Sequence, residues 1–381
     1  MSFRIRRECC RDRATEVILG AKNMLSTVFL ELTNHCNMNC EFCANHLMSR
    51  PRGYMPLDLA KSIIDQLRQM NFKGSLIKSL MGEPLLHPNF KEILKYSIDK
   101  GIKSNVITNF LAVPERVSIE KLLTSGIDTL CLSYQTPNQH TFQTRRTKLK
   151  FDEYFKKLKM IISYARDNNI NTNRIEIHIL HSLYNYLNVE VVNDDRLIES
   201  AILKLCDILY PDNSKFSKQK FDEKNIIKAV KKFRQGKQYL DTFEIKIGSR
   251  IYVVLKRANT WANRLIPEGC EVEPKNRGNC GFFHNSLGIL WDGNCTVCCQ
   301  DFNGSIYVGD AKTTSIADIN TGKRLTGMRE LEKKGQLESD YCHLCKGTIK
   351  RNGRKFSIIK NHGLINKGFK LANQIKVKLI Q

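Results

Sequence analysis

Nowhere does this chain hold an apolar run long enough to cross a bilayer, and its arginine-studded start (Arg4, Arg6, Arg7, Arg11, Arg13) lacks the uninterrupted apolar core of an export signal. Neither membrane spanning nor secretion is expected, and the protein is placed in the cytoplasm. Acid is scarce too: 38 Asp and Glu stand against 61 Lys and Arg, for a net charge of +23. From Lys346 to Gln381 there are ten basic residues and no acid. That balance suits anionic partners, namely phosphorylated substrates, nucleic acid, acidic peptides or an anionic lipid surface, although a solvated basic face has the same composition. What is plentiful is cysteine. Fourteen in a cytosolic-looking chain of 381 residues read as metal ligands rather than disulfides, because the cytosol keeps thiols reduced.

Three of them form a CxxxCxxC loop, Cys36-Asn37-Met38-Asn39-Cys40-Glu41-Phe42-Cys43. Iron-sulfur clusters are ordinarily held by four thiolates, so three leave one iron open to another ligand. A structural zinc site would need a fourth ligand, and only His35 and His46 lie close in sequence.

Around this loop, strand and helix patterns alternate. Strands are predicted at Val28 to Thr33, Ser75 to Leu80, Lys103 to Thr108, Thr129 to Ser133 and Arg174 to Leu180. Helices are predicted over Leu57 to Met70, Asn89 to Lys100, Glu115 to Ser125 and Phe151 to Asn168. Five βα-like repeats argue for a parallel sheet wrapped by helices, and the pair Phe243 to Ile247 and Arg250 to Leu255 is a candidate sixth unit. Such sheets collect ligands at the C-terminal ends of their strands. Gly82-Glu83-Pro84 follows the second strand, Thr108-Asn109 the third, and Ser133 with Arg145 the fourth. A glycine lets backbone approach a ligand, a serine hydroxyl can bridge a ribose, and an arginine fork can take a carboxylate. Arg146 could exchange roles with Arg145.

Further along, Cys280, Cys298, Cys342 and Cys345 can close a second site. Leu287 to Trp291 and Asn294 to Cys299 flank an Asp292-Gly293 turn and read as a hairpin. Cys299 could replace Cys298, since neighbours on a strand face opposite sides. A four-cysteine zinc ribbon is the structural alternative. Cys270 and Cys295 are spare, and Cys9, Cys10, Cys131 and Cys206 read as plain thiols.

The CxxxCxxC spacing with Phe42, followed in order by Gly82-Glu83-Pro84, Thr108-Asn109 and Ser133 with Arg145, resembles the radical S-adenosylmethionine (radical SAM) superfamily. Met81 and Phe110 stand where that family more often has glycine. The later cysteines resemble its SPASM and shorter Twitch extensions; with no cysteine after Cys345, Twitch is the nearer match. The resemblance implies an α/β fold, a partial (β/α)6 TIM-like barrel with a small C-terminal hairpin and helix iron-sulfur domain. It also implies two 4Fe-4S clusters, on Cys36, Cys40 and Cys43 and on Cys280, Cys298, Cys342 and Cys345. S-adenosylmethionine would be bound through Gly82, Glu83, Pro84, Thr108, Asn109, Ser133 and Arg145.

The expected organisation is a basic N-terminal segment (1–26), the barrel (27–260), the auxiliary domain (261–346) and a basic tail (347–381). The expected activity is reductive cleavage of S-adenosylmethionine to a 5'-deoxyadenosyl radical, which oxidises a carbohydrate or aminocyclitol-type substrate while the auxiliary cluster accepts an electron. A reducing partner such as flavodoxin or ferredoxin is implied. The alternatives are a peptide maturase, for which the segment before Val28 is too short to supply a leader-binding domain, an RNA-modifying enzyme, for which no RNA-binding motif is present, and a non-catalytic metal-stabilised binding protein. Epimerisation would need a thiol such as Cys131 to return a hydrogen atom. The tail alternates apolar residues with lysines and could rest on an anionic membrane surface.

Overall fold

The computed structural model describes residues 25–181, 191–192, 194–211, 226–228, 230, 242–266, 268–351 and 354–356. The basic N-terminal segment up to residue 24 and nearly all of the C-terminal tail lie outside the described residues.

Alternation in the sequence becomes alternation in space. Strands β1 (Thr27–Leu30), β2 (Ser75–Ile77), β3 (Ser104–Thr108), β4 (Thr129–Gln135) and β5 (Arg174–His181) pair in parallel, each with the next. Helices α1 (Leu57–Gln69), α2 (Phe90–Asp99) and α3 (Ile119–Thr124) return the chain after β1, β2 and β3. After β4 come the single turn α4 (Gln139–Phe142) and the long α5 (Phe151–Asp167), and after β5 comes α6 (Asp195–Leu209). Apolar residues three and four apart bury one stripe of each long helix, Ala60, Ile63, Ile64 and Leu67 on α1 and Tyr154, Leu158, Ile161 and Ile162 on α5. Each such leucine or isoleucine contributes roughly 1.5–3 kcal/mol by leaving water. Side-chain oxygens cap several helices, Ser118 on α3 and Asp194 on α6 among them.

The expected strand pair resolves into β6 (Thr242–Lys246) and β7 (Ile251–Arg257), antiparallel to each other. Only β7 joins β5 in parallel, which makes it the sixth barrel strand and leaves β6 on the edge. Beyond β8 (Cys270–Glu273) and the turn α7 (Phe282–Asn285), the predicted hairpin forms as β9 (Ser286–Ile289) and β10 (Asn294–Thr296), to which β11 (Tyr307–Asp310) adds. The hairpin is not a separate sheet. Strand β9 pairs in parallel with β1, from Thr27 opposite Ser286 to Leu30 opposite Ile289, so one ten-stranded sheet runs across the expected domain boundary. Its edges, β11 and β6, do not meet, and the barrel is partial. Helices α8 (Ile316–Thr321), α9 (Lys323–Lys333) and α10 (Asp340–Cys345) follow, and β12 (Thr348–Arg351) bridges β8 and β13 (Arg354–Phe356) in a small second sheet.

Candidate cofactor and cluster sites

The three-cysteine loop leaves the C-terminal end of β1, and its entry is fixed by short polar links. Thr33 Oγ1 donates to Gly53 O at 2.7 Å, and Asn34 accepts from Gly53 N–H at 2.9 Å while its amide donates to Pro51 O at 2.8 Å. The Gly82 turn presses directly on this entry. With φ of 76°, its missing Cβ would lie 2.3 Å from Thr33 O, and the next residue, Glu83, donates its N–H to His35 O at 2.8 Å. Only glycine fits there, so the Gly82-Glu83-Pro84 turn is held against the loop.

Burial pushes the Cys36 and Cys43 thiols up to about 12, and the charge of neighbouring loop cysteines adds to both. The Cys40 thiol is raised by burial and pulled back by Arg145. The three sulfurs therefore share one local field. Two N–H donors reach them, Asn109 Nδ2 at 3.7 Å from Cys36 Sγ and Arg145 Nη1 at 3.9 Å from Cys40 Sγ.

Arg145 is 1% exposed. Its fork donates to Ser133 O, to Tyr154 Oη at 3.1 Å and to Thr136 Oγ1 at 3.0 Å, and its plane lies over the Phe42 and Tyr154 rings. All of these partners are neutral. A buried cation without a carboxylate, beside a cysteine sulfur, suits an anionic thiolate group at this place. Arg146 is different: its backbone is left-handed, its side chain is 61% exposed, and it pairs with Glu41 at 2.7 Å.

Glu83 is buried and fully engaged. Its carboxylate accepts from Thr108 Oγ1 at 2.7 Å, Asn109 N–H at 2.6 Å and Leu85 N–H at 3.1 Å, while burial lifts the carboxyl to about 7. Thr108 Oγ1 also accepts from Phe110 N–H at 2.8 Å. Glu83 and Thr108 thus tie the turn after β2 to the end of β3 and have no side-chain oxygen turned outward. Asn109 bridges back to the loop through Asn37 Oδ1 at 2.7 Å. Ser133 Oγ, on a residue 8% exposed, has no hydrogen-bond partner among the described residues.

Cys280, Cys298, Cys342 and Cys345 also come together. Burial raises the last three, and the charge of Cys280 raises each further. Cys342 and Cys345 sit on α10, started by Ser339, whose hydroxyl accepts from Tyr341 N–H. Cys298 Sγ accepts from Gln300 N–H at 3.4 Å. Cys295 points elsewhere, its Sγ 3.5 Å from Gly293 O.

With this geometry in place, the comparisons identify the domains. Residues 30–200 match the model of the radical SAM superfamily, and residues 280–346 match SPASM, an iron-sulfur cluster-binding domain. The chain carries a radical SAM domain followed by a SPASM domain. It is 38% identical over 131 residues to the AdoMet-dependent heme synthase of Methanosarcina barkeri, covering 34% of this chain and 36% of that protein. The match therefore spans about a third of that relative's length. A longer match, 22% identical over 338 residues, covers 80% of this chain and 83% of the tungsten-containing aldehyde ferredoxin oxidoreductase cofactor-modifying protein of Pyrococcus furiosus. Streptococcus suis SuiB bound to precursor peptide SuiA shares the fold, with a TM-score of 0.52 and 15% identity over 80% of this chain and 66% of that one.

A radical SAM domain with a SPASM domain implies 4Fe-4S clusters and S-adenosylmethionine. The donor sets fit: three buried thiols with N–H donors and a carboxylate-free cation at one place, and at the other four thiols of which three feel the charge of Cys280.

Two features of this radical SAM chain were not anticipated from sequence. Glu31, fully buried just after β1, accepts from both Arg50 terminal nitrogens, Met81 N–H and Trp291 N–H, while Arg50 Nε donates to Phe302 O at 2.7 Å; barrel and SPASM segment are joined through this one carboxylate. Trp261, Ala262 and Asn263 hold three consecutive left-handed conformations. Trp261 Nε1 donates to Phe42 O at 2.9 Å, Ala262 N–H to Gln300 Oε1 at 3.0 Å, and Asn263 Nδ2 to Leu344 O at 2.8 Å, so this turn touches both cysteine sets.

Proposed function

We propose that this protein is a radical SAM dehydrogenase acting on a carbinol of a carbohydrate or aminocyclitol-type substrate. Cys36, Cys40 and Cys43 hold the first 4Fe-4S cluster, and Cys280, Cys298, Cys342 and Cys345 hold the auxiliary one. Bound at the first site, the cluster and S-adenosylmethionine supply a 5'-deoxyadenosyl radical that takes a hydrogen atom from carbon. The remaining work falls to the chain. The Gly82-Glu83-Pro84 turn offers backbone to the methionine amine, while Glu83 and Thr108 keep it in place. Asn109 and Ser133 serve the ribose, and Arg145 holds its charge against the Cys40 side of the cluster. Buried aromatic neighbours, Phe42, Phe110 and Tyr154, exclude water.

The observation that carries this reading is a pair of thiol sets, three and four strong, tied to one ten-stranded sheet by the three-cysteine loop after β1 and by Cys298 after β10, beside polar groups on β4 and β5. A site with four protein ligands has no open position and is suited to accepting an electron rather than to binding substrate. The protein acts in the cytoplasm with a flavodoxin- or ferredoxin-type reductant. Anaerobic reconstitution and reduction with carbinol-deuterated aminocyclitols tests the reading: deuterium is expected in 5'-deoxyadenosine and a ketone in the product. Absence of 5'-deoxyadenosine under these conditions sinks it.

A further inference from the structure

Strand β5 reads Arg174-Ile175-Glu176-Ile177-His178, and the period of two separates its faces. Ile175 and Ile177 are fully buried, as are Leu130 and Leu132 of β4. The polar residues project to the other side, with Cys131 opposite Glu176. Leu132 pairs with Ile177, so His178 lies one step nearer the C-terminal ends of the strands, where Ser133 also lies.

The side chains form one connected group. Glu176 accepts from Arg174 Nε at 2.6 Å on one oxygen, and on the other from His178 Nε2 at 2.9 Å and Cys131 Sγ at 3.6 Å. Arg174 is itself held by Glu244 of β6 at 2.6 Å. Burial alone would raise the Glu176 carboxyl, but hydrogen bonds and charge from His178 and Arg174 outweigh it and hold the group below the usual carboxylate range. Burial and the Lys256 charge pull the imidazole down to about 4, against Glu176. An ionised carboxylate offers only lone pairs, so the Nε2 facing it carries the hydrogen and Nδ1 of the neutral ring is left with a lone pair. That nitrogen has no partner among the described residues, on a side chain 3% exposed. Ser133 Oγ is in the same position. Neither atom is sealed off by the protein, so an acceptor nitrogen and a hydroxyl stand accessible at the mouth of one strand pair, a placement suited to a ligand bearing hydroxyl or amine hydrogens.

We infer that His178 takes the hydroxyl proton of the substrate and that Glu176 is the positioning residue that fixes its tautomer. This rests on the oxidation reading above. The balance closes as follows: the carbinol carbon loses its hydrogen atom to the deoxyadenosyl radical, the hydroxyl proton passes to His178 Nδ1, and the remaining electron leaves to an iron-sulfur acceptor as C–O becomes C=O. The ligand atoms of Cys131, Glu176 and His178 all lie within 4.8 Å of one another, a spacing a metal ion could use. Two positive charges, Arg174 on the carboxylate and Lys256 near both the thiol and the ring, oppose a cation there.

Histidine-selective 15N NMR of the holoenzyme with its clusters in the oxidised, diamagnetic state tests the tautomer without turnover. The signal lost in His178→Gln is expected to be a neutral ring protonated on Nε2 at pH 7, and Glu176→Gln is expected to mix the tautomers. An imidazolium, or a ring protonated on Nδ1, overturns the inference, as does one equivalent of metal beyond cluster iron by elemental analysis. In turnover with the deuterated aminocyclitols, His178→Gln is expected to keep transferring deuterium while ketone falls on the order of 100-fold. Ketone at the wild-type rate in folded His178→Gln overturns the assignment. If that variant fails to fold, Glu176→Gln carries both measurements, with mixed tautomers and reduced ketone expected and unchanged values of both contradicting it. No deuterium transfer by wild type from any member of the panel defeats the carbinol reading instead, and is told apart by an intact Nε2–H tautomer.

Discussion

The two cysteine sets are held in different ways. Around Cys36, Cys40 and Cys43, long side chains arrive from the ends of separate strands: Asn109 after β3, Arg145 after β4, and Trp261 after β7. Around Cys280, Cys298, Cys342 and Cys345 helix and backbone carry more of the support, with two cysteines one turn apart on α10, Gln300 N–H on Cys298 Sγ, and Asn263 Nδ2 reaching in to Leu344 O. Strand-end side chains can be exchanged singly and can face a ligand; a helix and a hairpin close on themselves. The contrast matches an open site and a sealed one.

The strongest way to break this contrast is to remove one cysteine from each set. Cys36→Ala is expected to lose about four of eight irons and all 5'-deoxyadenosine formation, whereas Cys342→Ala loses a similar amount of iron but still cleaves S-adenosylmethionine. Equal loss of cleavage in both variants would merge the two sites into one functional unit. Next comes Arg145→Ala, which leaves Thr136 Oγ1 without its donor and empties the space against the Phe42 and Tyr154 rings, although Tyr154 Oη keeps its bond to Ser133 O, and should cost about 3 kcal/mol in urea unfolding. Arg146→Ala, on an exposed side chain, should change stability by less than about 0.5 kcal/mol.

A pH series sharpens the same comparison. Burial holds the Glu83 carboxyl near 7, above its value of 4.5 in the unfolded chain, so the protonated form stabilises the fold fully below about 4.5 and that contribution is lost as pH rises through about 7. Wild type is expected to lose on the order of 2 kcal/mol across this window, and Glu83→Gln should flatten the slope. The smallest effect is assigned to Trp261→Phe, which keeps the ring but removes the N–H on Phe42 O, at about 1 kcal/mol by thermal unfolding.

Much of this was legible in the chain itself. The CxxxCxxC spacing, the order of the motifs after successive strands, and five of the barrel strands follow from residue type and period. Other features depend on contacts between distant residues that no local pattern carries. The direction of the Arg145 fork is set by Ser133 O and Tyr154, and its sequence neighbours say nothing about it. The β1–β9 pairing joins residues about 260 positions apart, and of the three residues in the left-handed turn at Trp261 only Asn263 is of a type that favours that region. The Arg174-Ile-Glu-Ile-His178 alternation was visible, and polar residues at every second position of an isoleucine strand are the signal that could have marked the barrel interior earlier.

The parallel pairing of β9 with β1 has a consequence for how such a protein can change. Because the strand that leads into the three-cysteine loop is also the rung on which the SPASM hairpin hangs, the spacing between that loop and the hairpin is anchored in backbone register. The Glu31–Arg50 pair, which reaches Trp291 N–H and Phe302 O, holds the same join from the side-chain layer. Loops above the sheet can then be replaced, and a new substrate admitted, while that spacing is kept.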